Sequence, residues 1–179
     1  MKKMFLLLLP ALMVACSDDK DNSTTLVVAD SPIKNLKINE IVAKGSEFEN
    51  EYGNTDDWVE IYNPTNEEIT LTAGNVYFSD NISDPTKWEL SADVKIAPNG
   101  YLIVCCDDSN CVKTQIHTNF KLTADGEEFS IYYTDGTNGQ TVDQVAFPAQ
   151  DGTKSYGRIL DGGETWDWLT PTPLMNNQQ

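Results

Sequence analysis

The chain has 179 residues, room for one domain beside a targeting segment and a tail, and its 40% hydrophobic content belongs to a packed chain rather than a disordered one. Its formal charge is −16, and −18 once the first fifteen residues, which hold Lys2 and Lys3 and no acid, are set aside. So acidic a surface repels nucleic-acid phosphates and anionic lipid heads, and suits cations, basic partners or plain solubility.

Residues 1–15 read as a signal peptide. Lys2 and Lys3 open it, and the apolar run from Phe5 is too short to span a bilayer. The run ends at Met13-Val14-Ala15-Cys16, which resembles the lipobox of bacterial lipoproteins, where cleavage precedes a diacylated cysteine. The resemblance implies lipidation of Cys16 and membrane anchoring through that lipid, since each buried CH₂ contributes about 0.8 kcal/mol. Ser17-Asp18-Asp19-Lys20-Asp21 resembles an acidic export tag and implies an outer-membrane lipoprotein displayed on the cell surface; as composition alone it is a hydrophilic tether. Residues 16–35 are expected to be a flexible linker. Its apolar piece, Leu26-Val27-Val28, could instead add an edge strand.

From residue 36 the chain reads as short strands separated by turn residues, the pattern of a β-sandwich. Residues 38–42 form a first strand. Ile38 and Ile41 are an odd number of positions apart, so they share a face only if Asn39 or Glu40 sits in a bulge. Residues 58–62 form a second strand with Val59 and Ile61 on one face and Trp58, Glu60 and Tyr62 on the other. Short strands follow at 68–71 and 76–79. Residues 94–96 and 101–106 predict a hairpin about Ala97-Pro98-Asn99-Gly100, with Pro98 at the second position of a type I turn and Gly100 left-handed. The second of these strands is apolar on both faces and is expected to be central. Phe129, Ile131 and Tyr133 alternate with polar neighbours, Asp135-Gly136 turns the chain, and residues 141–147 return.

Several motifs resemble the lamin-tail domain family. They are Ile38-Asn39-Glu40-Ile41, Asp57-Trp58-Val59-Glu60-Ile61-Tyr62-Asn63-Pro64, the segment from His117-Thr118-Asn119-Phe120-Lys121-Leu122 to Ala124-Asp125-Gly126-Glu127, Ser155-Tyr156-Gly157-Arg158, and Thr170-Pro171-Thr172-Pro173 before Asn177. The resemblance implies an all-β, immunoglobulin-like sandwich over residues 36–177. One departure is Leu174, where the family's closing motif has glycine.

Cys105, Cys106 and Cys111 remain beyond Cys16. An oxidising location suggests one bridge from Cys111 back to Cys106 or Cys105, with Cys106 favoured because it ends its strand. Three thiolates with His117, the sole histidine, make a poor zinc set. Asp56 and Asp57 in one loop region, and Asp107 and Asp108 in another, are candidate Ca²⁺ ligands, because the loops of a sandwich gather at its ends. Calcium is the one cofactor the sequence suggests. The Trp58, Glu60 and Tyr62 face is either an aromatic binding platform or a surface packed beneath a covering segment. In the second case Glu60 needs a partner, a backbone N–H or Arg158, the sole arginine. No phosphate loop, H-E-x-x-H or G-x-S-x-G occurs, and His117 sits in a segment that the resemblance implies is structural. The expected function is that of a non-enzymatic, lipid-anchored envelope module that binds protein or glycan, or serves a structural role. The alternative is Ca²⁺-dependent carbohydrate binding or hydrolysis at the acidic loops. Nucleic acid is not an expected partner.

Overall fold

The computed structural model describes residues 31–178. The expected signal peptide, Cys16 and most of the tether lie outside the described residues. The described chain opens with a 3-10 turn, Pro32–Asn35, with proline at its first position, where a missing N–H costs nothing. Ile33 and Leu36 are buried in the main core, so the packed body begins inside the segment read as linker.

Thirteen strands follow: β1 (Lys37–Val42), β2 (Asp57–Tyr62), β3 (Ile69–Leu71), β4 (Val76–Ser79), β5 (Trp88–Glu89), β6 (Val94–Ile96), β7 (Tyr101–Cys106), β8 (Cys111–Val112), β9 (Ile116–His117), β10 (Gly126–Thr134), β11 (Gly139–Pro148), β12 (Ser155–Arg158) and β13 (Trp166–Leu169). A seven-stranded sheet in the order β13-β12-β1-β2-β7-β9-β8 faces a four-stranded sheet, β11-β10-β4-β5, and β3 pairs with β6. Every pairing is antiparallel except β7 with β9. Ile41, Val59, Val104 and Ile116 of the larger sheet meet Phe78, Phe129 and Ile131 of the smaller one in a single apolar core. Phe129 is fully buried, and its truncation to alanine would cost about 3–5 kcal/mol. This is the β-sandwich that the strand pattern predicts, of the immunoglobulin-like kind that the resemblance implies.

Two local expectations resolve in instructive ways. The register of β1 against β2 slips between Ile38 and Glu40, leaving Asn39 as the bulged residue, and Ile38 and Ile41 both reach the core as the spacing demands. The expected hairpin between residues 94–96 and 101–106 does not form: β6 pairs with β3, while β7 pairs with β2 and β9. Its turn is present, with Gly100 N–H donating to the Ala97 carbonyl at 3.0 Å, but the left-handed residue is Asn99, at φ 52°, and not Gly100. A left-handed residue at the third position makes a type II turn, whose twist splays the flanking strands instead of pairing them. Strand β7 is central, as its two apolar faces suggest.

Candidate functional site

The outer face of the seven-stranded sheet carries three transverse rows. Val42, Trp58, Cys105, His117 and Cys111 stand opposite one another across β1, β2, β7, β9 and β8. Glu40, Glu60 and Ile103 form the second row, and Lys37, Tyr62 and Tyr101 the third. Because side chains alternate along a strand, these are the residues turned away from the main core. Two segments cover them.

The first cover is the β1–β2 connection, residues 43–56. Phe48 meets Trp58 edge-on with centroids 6.2 Å apart, and the Trp58 indole N–H donates to Ser46 Oγ at 3.1 Å. Val42, Trp58, Ile103, Cys105 and Phe48 make a second, smaller apolar cluster. Farther along, Tyr52 packs on the His117 ring at 4.9 Å. His117 is fully buried, with Nδ1 2.7 Å from Asp107 Oδ2 and Nε2 3.2 Å from Glu51 Oε1. Glu51 also accepts from the Thr114 hydroxyl at 2.6 Å and the Gln115 N–H at 3.1 Å. These bonds, the Thr114 hydroxyl foremost, pull its carboxyl down to about 2.

The second cover is the C-terminal tail, residues 170–177. Here the carboxylates belong to the sheet and the cover supplies the donors. Glu40 accepts from the N–H and hydroxyl of Thr172, and Glu60 accepts from the Leu174 N–H at 2.6 Å and Asn39 Nδ2 at 3.0 Å. The bulge gives Asn39 the central place in this network. Its amide also donates to Asp161 at 2.9 Å and accepts from the Gly162 N–H, while its carbonyl accepts from Asn177. Tyr101 closes the network with a 2.7 Å bond to Asp161. Burial pushes Glu60 up to about 8, with Glu40 and Asp161 adding repulsion against the downward pull of its hydrogen bonds; burial raises Glu40 as well.

Between the two covers lies a cleft of about 570 Å³, walled by residues 44–49, 152–154 and 170–173, with Trp58 at its floor. Gly45, at φ 71°, packs so closely on the Gly152 backbone that any side chain there would clash. Thr153 and Lys154 also line a separate hollow of about 450 Å³ against Trp168, which stands opposite Tyr156 in the row of core-facing Ile41 and so on the other face of the sheet. Volumes of this order suit small-molecule and oligomer ligands.

The structure rearranges the sites expected from sequence. Cys106 does not bridge to Cys111; Cys105, Cys106 and Cys111 are all free. Cys106 turns into the main core opposite Asp57, whereas Cys111 lies in the outward row, so strand alternation points the two thiols to opposite faces. The calcium set is not assembled either. Asp57 accepts from the Leu122 N–H, and burial lifts it to about 6. Asp56 accepts from Asn50, Asp107 is taken by His117, and Asp108 is an exposed, left-handed turn residue. Among the described residues no group of three or more His, Cys, Asp or Glu side chains is arranged to hold a metal ion. Trp58 and Glu60 are buried under the covers and do not form a platform; Tyr62 is half-buried and stacks on Tyr101 at 5.0 Å. Glu60 finds its backbone N–H at Leu174, while Arg158 pairs with Asp143. The carboxylate pair Glu40 and Glu60 is fully buried beneath the tail. The cleft residues Lys44, Phe48 and Lys154 were not singled out from the sequence, since positions in separate loops share no spacing that could flag them.

The fold and its covered sheet define a small immunoglobulin-like domain. The chain belongs to the lamin tail domain family, whose family model matches residues 29–149. Domains of this family are immunoglobulin-like and in general structural or binding modules and not enzymes. No curated protein and no solved structure matches the chain.

Proposed function

We propose that this protein is a non-enzymatic, lipid-anchored module of the bacterial cell envelope that binds a protein or glycan component through the cleft on its outer sheet face. The observation that carries the reading is the cleft itself. Three loop segments from distant parts of the chain converge on it, and the covers beside it are held by hydrogen bonds that give its walls a defined shape. The anchor rests on the lipobox resemblance at Cys16 and the acidic stretch behind it. An outer-membrane lipid at Cys16 and a linker of this length would stand the domain off the bilayer with the cleft free.

Two measurements test the reading. Metabolic labelling with an alkyne fatty acid should mark the protein and lose the mark in Cys16→Ser; labelling that persists in the variant would remove the anchor. The soluble protein beginning at Ser17 should retain a defined component from envelope or host-surface extracts, and its Gly45→Val variant, which fills the contact at the cleft wall, should lose it. Equal retention by both proteins would remove the cleft as the binding site.

A further inference from the structure

We infer that the apolar corner formed by Leu160, Leu174 and Met175 rests on the lipid surface that holds the anchor, so that the anchored domain presents its cleft away from the bilayer. This rests on the lipid-anchor part of the reading above and adds the second contact that the anchored domain makes.

The first support is where apolar surface is left uncovered. Among the described residues the exposed large hydrophobic side chains are Tyr52, Ile82, Leu160, Leu174 and Met175. The last three meet at one place. Leu160, 74% exposed, is on the β12–β13 turn, and Met175, 59% exposed, follows Leu174 in the tail. Asp161 ties the two segments together, accepting from the Asn177 N–H at 3.1 Å and from the Tyr101 hydroxyl at 2.7 Å. Gly162 lies against the Tyr62 ring, and the stacked, half-buried Tyr62 and Tyr101 continue the patch across the third row. Aliphatic side chains beside rings with a polar tip are the composition of a contact at a membrane interface.

The second support is where the chain enters. Strand β1 begins at Lys37, in the third row, and the 3-10 turn Pro32–Asn35 leads directly to it. The chain that carries Cys16 reaches the domain at the end of the sheet that bears the patch. Residues 16–30 span at most about 50 Å, so the lipid stays within reach of this end. Tethering turns a contact too weak for a free domain into an intramolecular one. Trp58, at the cleft floor, stands in the first row, about 15 Å along the strands from the third. With the corner down, the cleft points outward.

The third support is charge. A chain charge of −16 pushes most of the surface away from anionic headgroups. At this corner Asp161 is taken up by Asn39, Tyr101 and Asn177, and Lys37 in the row offsets Glu164 on the turn. A second copy of the chain fits less well, because three exposed side chains fall far short of the roughly 800 Å² per partner that a stable complex buries.

The test is hydrogen exchange on the protein beginning at Cys16, carrying Cys111→Ser and coupled through Cys16 to a maleimide lipid in phosphatidylcholine vesicles. Cys105 and Cys106 are buried and stay uncoupled. Amides of residues 159–163 and 174–176 should exchange about threefold more slowly than in the same protein without vesicles, while those of residues 44–49 and 152–154 are unchanged. Leu160→Asp combined with Met175→Asp should abolish the slowing with the melting temperature unchanged, since both side chains are exposed, and Ile82→Asp should not. Equal exchange with and without vesicles, or slowing at the cleft end, overturns the inference. Slowing that appears without vesicles and grows with protein concentration assigns the corner to a second copy, and the inference falls. Coupling supplies the lipid, so anchor and corner fail separately: loss of fatty-acid labelling in cells removes the anchor, and unslowed exchange in the coupled protein removes the corner.

Discussion

The two covers over one sheet face are built in opposite ways. In the loop cover, Glu51 comes from the loop and reaches down to a buried imidazole, a hydroxyl and a backbone N–H while staying near solvent. In the tail cover, Glu40 and Glu60 rise from the sheet, are themselves fully buried, and are met by the tail's N–H and hydroxyl groups. The first arrangement favours the charged carboxylate and the second penalises it, although both count as carboxylates with hydrogen bonds. Where the charge sits relative to water decides the sign of its effect.

The sharpest way to separate the covers is to remove His117. Its ring fills the space under Tyr52 and lies against Asp107 and Glu51 at once. His117→Ala leaves Asp107, 8% exposed, without that partner and opens a cavity, at a cost of about 3–5 kcal/mol. Amides of residues 43–56 should lose hydrogen-exchange protection down to local opening, while those of Thr172 and Leu174 keep theirs. If both covers loosen together they are one cooperative unit, and the comparison breaks.

The pH response should run in opposite directions on the two sides. Native Glu60 keeps its proton to about pH 8, whereas the unfolded chain gives it up near 4.5. Between these values the native state holds the extra proton, so its stability is full below about 4.5 and falls as pH rises, by at most about 1.4 kcal/mol per unit. Glu40 acts in the same direction, and Asp57 adds to the fall up to about pH 6, so between 6 and 8 the fall belongs to the carboxylates under the tail. Urea unfolding across that window should show a loss of about 2 kcal/mol, reduced in Glu60→Gln. Glu51 does the reverse. Its contribution is present above about 4.5 and is lost as pH falls through about 2, which Glu51→Gln should remove. Stability that stays flat from pH 6 to 8 in the native sequence would show that the tail lets water reach Glu60.

How much of this was legible beforehand depended on range. Alternation placed Val59 and Ile61 inward, and the odd spacing of Ile38 and Ile41 demanded the bulge that the structure has at Asn39. Both are properties of a few neighbouring residues. The hairpin failed because Asn99, and not Gly100, took the left-handed position, a choice between adjacent turn residues that composition does not make. Trp58 and Glu60 were recognised as sharing a face, but what lay over that face could not be read from their own strand. Phe48 covers one and Leu174, 114 positions away from Glu60, the other. The disulfide misled for the same reason: Cys106 and Cys111 are close in sequence, yet their strands turn them to opposite faces. The cleft was least legible of all, since it exists only where the two covers and the β11–β12 loop meet.

Leu174 gives the smallest test, and it bears on the tail alone. The family's closing glycine is replaced here, yet the backbone keeps the left-handed conformation, φ 62°, that lets the Leu174 N–H point at Glu60. A leucine held there costs about 1–2 kcal/mol, and its side chain is 49% exposed, so little burial offsets the strain. Leu174→Gly relieves the strain but gives the unfolded chain more freedom, about 0.5–1 kcal/mol in the other direction. The expected net is a gain of about 0.5 kcal/mol, a rise of about 1–2 °C in Tm. The gain should appear as added protection in residues 170–177 and leave the 43–56 loop unchanged. A loss of stability instead would mean that the exposed leucine packs on the tail more than it strains it, and the tail would then be held by apolar contact as much as by its carboxylates.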